Sequence, residues 1–149
     1  MNIRIECMDW ERACDAATTI RTAVFVDEQG VPAELEIDAD DPLSLHALGY
    51  VDGPLKGHRV TSAIATARLL PDGHIGRMAV LPACRGQGIG RALLECLITA
   101  ARGRGVDDIV LNAQVQAMGF YTRCGFVIDS SEFMEAGIAH RRMRWAGMR

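Results

Sequence analysis

Lysine is almost missing from this 149-residue chain: of sixteen basic residues, Lys56 alone is not an arginine. Arginine presents a planar, forked guanidinium suited to anions, although codon usage produces the same bias. An excess of positive charge is missing too. Nineteen acidic residues leave a formal net charge of −3, which removes the electrostatic case for a dedicated nucleic-acid binder. No apolar run approaches the roughly 18 residues a membrane helix requires. The N-terminus lacks the apolar stretch of a signal peptide, since Glu6, Asp9 and Glu11 fall where it would lie. The five cysteines are odd in number and form no Cys-x-x-Cys pair, which argues against a disulfide framework and a zinc knuckle. Cys7, Cys14 and Cys96 are therefore expected as buried free thiols. These absences point to a cytoplasmic chain with no membrane partner and no metal.

What is present fits one globular domain spanning residues 1–149. The chain is 49% hydrophobic and 23% charged, the balance of a soluble protein with a real core. Ile3 to Cys7 alternates as a strand. Trp10, Ala13, Ala17, Ile20 and Val24 form a helical stripe with Asp9 as N-cap. Gly30 and Pro32 break that helix, and the acidic stretch Glu34 to Asp41 reads as a solvated loop. Leu45–Val51 and Val60–Leu70 read as strands joined by the turn Asp52–Gly57, with a further strand at His74–Leu81. Leu93, Leu94, Leu97, Ile98 and Ala101 mark the apolar face of the clearest helix. A strand at Asp108–Asn112, a short helix at Val115–Arg123, and strands at Phe126–Ile128 and Arg141–Trp145 follow. Strands interleaved with these helices imply a sheet covered by helices.

The strongest local signal is Val80-Leu81-Pro82-Ala83-Cys84-Arg85-Gly86-Gln87-Gly88-Ile89-Gly90-Arg91, a strand running through a glycine-dense turn into a helix. Glycines let the backbone approach a ligand, and free N–H groups at a helix start bind phosphate oxygens. A P-loop would need Lys and Ser or Thr after the last glycine, where Arg91 and Ala92 stand. A dinucleotide fingerprint would need glycine in place of Arg91. The Arg-Gly-Gln-Gly-Ile-Gly spacing instead suits the pyrophosphate of an acyl-CoA, and a plain connecting turn is the bland alternative.

This segment resembles motif A of the GNAT superfamily of N-acetyltransferases. Ile75–Val80 resembles the family's fourth strand. Asn112, followed by Phe120-Tyr121-Thr122-Arg123-Cys124-Gly125-Phe126, resembles its second cofactor-contacting segment. Val24–Gln29, Pro32, Glu36–Asp38 and Glu135–His140 resemble the ElaA-like subfamily. The resemblance implies an α+β fold, a mixed and mostly antiparallel sheet flanked by helices, with the fourth and fifth strands splayed apart. It implies acetyl-CoA as co-substrate, its pantetheine along Met78, Ala79 and Val80, and its pyrophosphate on Arg85, Gly86, Gln87, Gly88, Ile89, Gly90 and Arg91. Asn112, Phe120 and Tyr121 would complete the cofactor site. The family resemblance also leaves room for a homodimer.

Acyl transfer to an amine sets its own demands. A lysine-like ammonium with a pKa of about 10.4 costs roughly 4–5 kcal/mol to deprotonate at neutral pH. A base or a water chain must take that proton, and an acid helps the thiolate leave. Tyr121 takes the acid's place by resemblance, with Asn112 beside the cofactor. Glu28 is assigned as base, while Glu36, Asp38, Glu135 and His140 remain alternatives. Glu36, Asp38 and His140 are assigned to the acceptor, a small-molecule amine. His46 near Asp38 or Asp41 shows no recurrent metal-ligand spacing. The expected function is an acetyl-CoA-dependent N-acetyltransferase. The alternative is a non-catalytic acyl-CoA sensor or interaction module on the same fold.

Overall fold

The computed structural model describes residues 2–55 and 58–147. Strand β1 (Asn2–Met8) leads to helix α1 (Trp10–Arg21), whose N-cap Asp9 accepts the Arg12 amide at 3.1 Å. The helix continues as a π-helix over Thr22–Glu28, and one turn of helix, α2 (Ala33–Glu36), follows. Strands β2 (Leu45–Leu55), β3 (His58–Leu69) and β4 (His74–Val80) come next, then α3 (Ile89–Gly103) and β5 (Val110–Gln114). Helix α4 (Met118–Arg123) and strands β6 (Phe126–Ile128), β7 (Phe133–Glu135) and β8 (Ile138–Trp145) complete the chain.

One eight-stranded sheet runs β1-β2-β3-β4-β5-β8-β6, with β7 also paired to β8. Its pairings are antiparallel except between β4 and β5. Successive strand residues point to opposite faces, and both faces are covered. Ala47 packs in the cluster with Leu93, Leu94, Leu97 and Ile98 of α3. Its neighbour Leu48 packs with Ala13, Ala17 and Ile20 of α1. Each buried leucine of α3 contributes about 1.5–3 kcal/mol by removing apolar surface from water.

The acidic stretch is not the solvated loop the sequence suggested: it holds α2, and Glu36 and Asp41 are buried. Cys7 and Cys96 are not isolated thiols either. They meet sulfur to sulfur between β1 and α3 with their Cα atoms 7.2 Å apart, while Cys14, Cys84 and Cys124 are free. The expected Asp52–Gly57 turn is strand up to Leu55, and positions 56 and 57 lie outside the described residues.

Strand β7 carries no signal in the sequence. It is three residues long and joins β8 through Ala136 (φ +51°) and Gly137 (φ +77°). Positive φ at both central residues is the geometry of a tight hairpin, which favours Asn-Gly. Ala136 therefore sits in a strained conformation, and Ala136→Asn is expected to raise stability by about 1 kcal/mol. Chemical denaturation checks this; an unchanged midpoint would show that Ala136 carries no strain.

Candidate active site

The two parallel strands hold together over two residue pairs, His74 with Val110 and Ile75 with Leu111. Beyond Ile75, β4 stays with β3, and beyond Leu111, β5 stays with β8. The strands part because β4 is bulged. Between the pairs Thr66–Ala79 and Arg68–Gly76, Arg77 and Met78 oppose the single residue Ala67, and Arg77 adopts φ +49°. The resulting V opens into a cleft of about 930 Å³. That volume lies at the upper end of small-molecule sites.

Met78, Ala79 and Val80 form one wall, with a backbone edge that β5 does not occupy. The mouth is the glycine loop. Gly86 and Gly88 have φ near +80°, and a Cβ built on either meets nothing within 4 Å. No side chain caps α3, so the N–H groups of its first turn stay available. Gly90 serves packing instead, since a Cβ there would lie 3.1 Å from the Phe120 ring. Arg85 donates to the Val80 carbonyl at 2.9 Å and forks onto both Glu28 oxygens at 2.8 and 2.6 Å. Hydrogen bonds from Arg85 hold the Glu28 carboxyl below its usual range.

Of the residues singled out from the sequence, the cleft brings together the β4 wall, most of the glycine loop, Asn112, Phe120, Tyr121, Glu36 and His140. Gln87, Glu28 and Asp38 do not line it. Tyr121 lies edge-on to Phe120 and Phe126, with ring centroids 5.1 and 6.2 Å away. Burial pushes its phenol up to about 12, so it stays protonated through the neutral range. Burial likewise pushes the Cys124 thiol up, which keeps it from acting as a thiolate.

The end of the cleft lined by Glu36, Arg68 and Arg77 rests on a buried network of charges. Arg21, 1% exposed at the end of α1, donates Nε–H to Glu36 at 2.5 Å and two further bonds to Asp41 at 2.8 and 3.2 Å. Arg68 donates to Asp38 and Asp41 at 2.7 and 3.0 Å, and Arg77 reaches the Glu36 carbonyl and Asp38 at 3.1 Å each. Glu36, Asp38 and Asp41 of the acidic stretch are thus engaged by arginines of α1, β3 and β4. Burial raises the Asp41 carboxyl, but hydrogen bonds and charge from Arg21 and Arg68 outweigh it and hold it low. Arg68 and Arg77, set among apolar residues of β3 and β4, were the available signal, because a buried charge requires a partner.

His46 closes this network from below, wholly buried, with Nε2 2.9 Å from the Asp41 carbonyl and the Trp10 ring 4.7 Å away. Burial lowers its pKa, with Arg21 and Arg68 adding to the effect against the pull of Asp41. The unfolded chain therefore binds a proton that the fold excludes. Stability from this group is present above about pH 6.5 and is lost as pH falls below it. His46→Gln is expected to flatten the pH dependence of unfolding free energy between pH 7 and 5. An identical slope in both proteins would remove His46 from the account. Among the described residues, no three His, Cys, Asp or Glu side chains are grouped to hold a metal. No helix among them is long and apolar enough to cross a membrane.

Residues 17–146 match the family model described as an acetyltransferase (GNAT) domain. The chain belongs to the GNAT family of acetyltransferases. It is 37% identical over 125 residues to the uncharacterized N-acetyltransferase YjcF of Bacillus subtilis, covering 83% of this chain and 86% of that protein. Protein ElaA of Escherichia coli is 31% identical over 134 residues, 84% of this chain and 82% of ElaA. The crystal structure of an acyl-CoA N-acyltransferase from Pseudomonas aeruginosa superposes with a TM-score of 0.80 at 30% identity, over 97% of this chain and 100% of that one.

This GNAT domain is accordingly an acyltransferase, and in its mixed sheet β4 and β5 splay apart. Family members use acetyl-CoA, and the residues here suit it. The unpaired β4 edge offers backbone groups to an extended amide chain, and the uncapped α3 start offers donors to a pyrophosphate.

Proposed function

We propose that this GNAT domain, acting as one unit over residues 1–149, transfers an acetyl group from acetyl-CoA to the primary amine of a small molecule by direct attack. The observation that carries the reading is the half-buried phenol of Tyr121 in the same cleft as the uncapped glycine loop. The pantetheine would lie along Met78 to Val80, with the pyrophosphate on the amides from Gly86 to Arg91. Asn112, at the fork of the V, would face the thioester end.

In this reading the amine lone pair forms the C–N bond, the C–S bond breaks onto sulfur, and the Tyr121 O–H protonates that sulfur. Glu28 is committed to Arg85 at the rim, which leaves the base to another group. Glu36 and, through Arg68 and Arg77, Asp38 would shape the acceptor end.

Tyr121→Phe tests the reading. Turnover is expected to fall ten- to a hundredfold, equivalent to about 1.4–2.7 kcal/mol, with acetyl-CoA affinity kept within twofold. Wild-type turnover in the variant would remove Tyr121 from the chemistry.

A further inference from the structure

The acceptor end of the cleft carries a constellation that the acyl-transfer reading leaves without a role. His140 of β8 is 6% exposed, and its ring is stacked on Phe133 at 21° with centroids 6.0 Å apart. Its Nδ1 lies 2.7 Å from the Ile138 carbonyl oxygen. A carbonyl only accepts, so Nδ1 carries a proton, and the ring's second, basic nitrogen is Nε2. Nε2 faces Oε2 of Glu135 at 3.5 Å. Two acceptors do not bond, so this contact becomes favourable only once Nε2 has taken a proton. The other Glu135 oxygen accepts from the Asn112 amide at 3.4 Å. Asn112, Glu135 and His140 line the same cleft as Tyr121. The charged group facing the ring is Glu135, and Gln114 of β5 and Phe133 of β7 are its uncharged neighbours across the strands.

We propose that His140 Nε2 is the proton acceptor for the attacking amine and that Glu135 stabilises the imidazolium that forms. The proposal rests on the acyl-transfer reading and supplies the base which that reading leaves open. The acceptor ammonium gives its first proton to solvent on entry. As the nitrogen lone pair bonds the carbonyl carbon, its remaining surplus proton passes to Nε2. The C–S electron pair leaves on sulfur, which takes the Tyr121 proton. His140 then releases its proton to water and Tyr121 is reprotonated from solvent, so each turnover yields amide, CoA thiol and one net proton. The Ile138 carbonyl fixes the tautomer from behind, the place a carboxylate takes in a serine-protease triad, and the Glu135 carboxylate stands instead on the basic side, where it meets the imidazolium.

The test compares wild type, His140→Gln and Glu135→Gln with a probe pool of putrescine, glucosamine, tryptamine and a short peptide. CoA release is followed from pH 5.5 to 9, and acetyl-CoA affinity is measured by calorimetry. His140→Gln is expected to lose a hundredfold or more in turnover, to lose the acidic limb of the pH profile, and to keep its acetyl-CoA affinity. Glu135→Gln, a change at an exposed side chain, is expected to lose five- to twentyfold. Added imidazole is expected to restore part of the activity of His140→Gly, which a purely structural histidine would not allow. Wild-type release with an unaltered profile in both glutamine variants would overturn the dyad alone. No amine-dependent release by wild type would overturn the acyl-transfer reading and the dyad with it.

Discussion

Arg21→Met is expected to lower the unfolding free energy by about 3–5 kcal/mol, the largest stability effect anticipated for a single side chain here. Arg21 is 1% exposed, and it satisfies one oxygen of Glu36, the Glu36 carbonyl and both oxygens of Asp41. Without the guanidinium those carboxylates stay buried with fewer partners. Arg68 still holds Asp41 at 3.0 Å, but the nearest remaining cation to Glu36 Oε1 is Arg77 at 3.9 Å. Arg21→Lys keeps the charge and loses the fork, so it is expected to fall between the two. Arg21→Met combined with Glu36→Gln should lose less than the two single changes added together, because the stranded charge is gone. Urea denaturation of the wild type and these four variants measures this. A loss below about 1 kcal/mol in Arg21→Met would mean the network contributes no more than a surface pair.

Gly88→Val is expected to weaken acetyl-CoA binding a hundredfold or more, about 2.7 kcal/mol. Gly88 is the N-cap of α3 at φ +81°, a conformation costing a residue with a Cβ about 1–2 kcal/mol. The Cβ itself would meet no protein atom within 4 Å. The valine would therefore stand in the open space above the first turn, where the pyrophosphate is to lie. Gly90→Ala differs in kind, since its Cβ presses on Phe120 and should cost packing before binding. Calorimetric titration with acetyl-CoA separates the cases; an unchanged dissociation constant in a folded Gly88→Val protein would sink the loop assignment.

Much of this fold is legible from local pattern. The stripe from Leu93 to Ala101 is a helix with one apolar face, and the turn before it announces a backbone left open for a ligand. The GNAT resemblance draws on contiguous segments, and those are the segments whose conformation is set by near neighbours. What was not legible is non-local. The acidic stretch looks solvated until Arg21, Arg68 and Arg77 arrive from three other elements. The helical stripe of Trp10 to Val24 gives no sign that the helix will widen over Thr22–Glu28, a segment that ends with Gln29 N–H bonding the Val24 carbonyl five residues back. Strand β7 is too short for alternation to show, and its turn uses alanine where asparagine would have signalled a hairpin. The contact between His140 and Glu135 exists only because that hairpin folds β7 onto β8.

The most direct test of the central reading is chromatographic measurement of CoA released from acetyl-CoA with and without the amine pool. Thiol-reactive dyes are unsuitable for a chain with five cysteines. The account predicts release that depends on amine, with an acetylated product identifiable by mass. Tight binding of acetyl-CoA with no amine-dependent release would contradict it and leave an acyl-CoA-binding domain in place of a transferase.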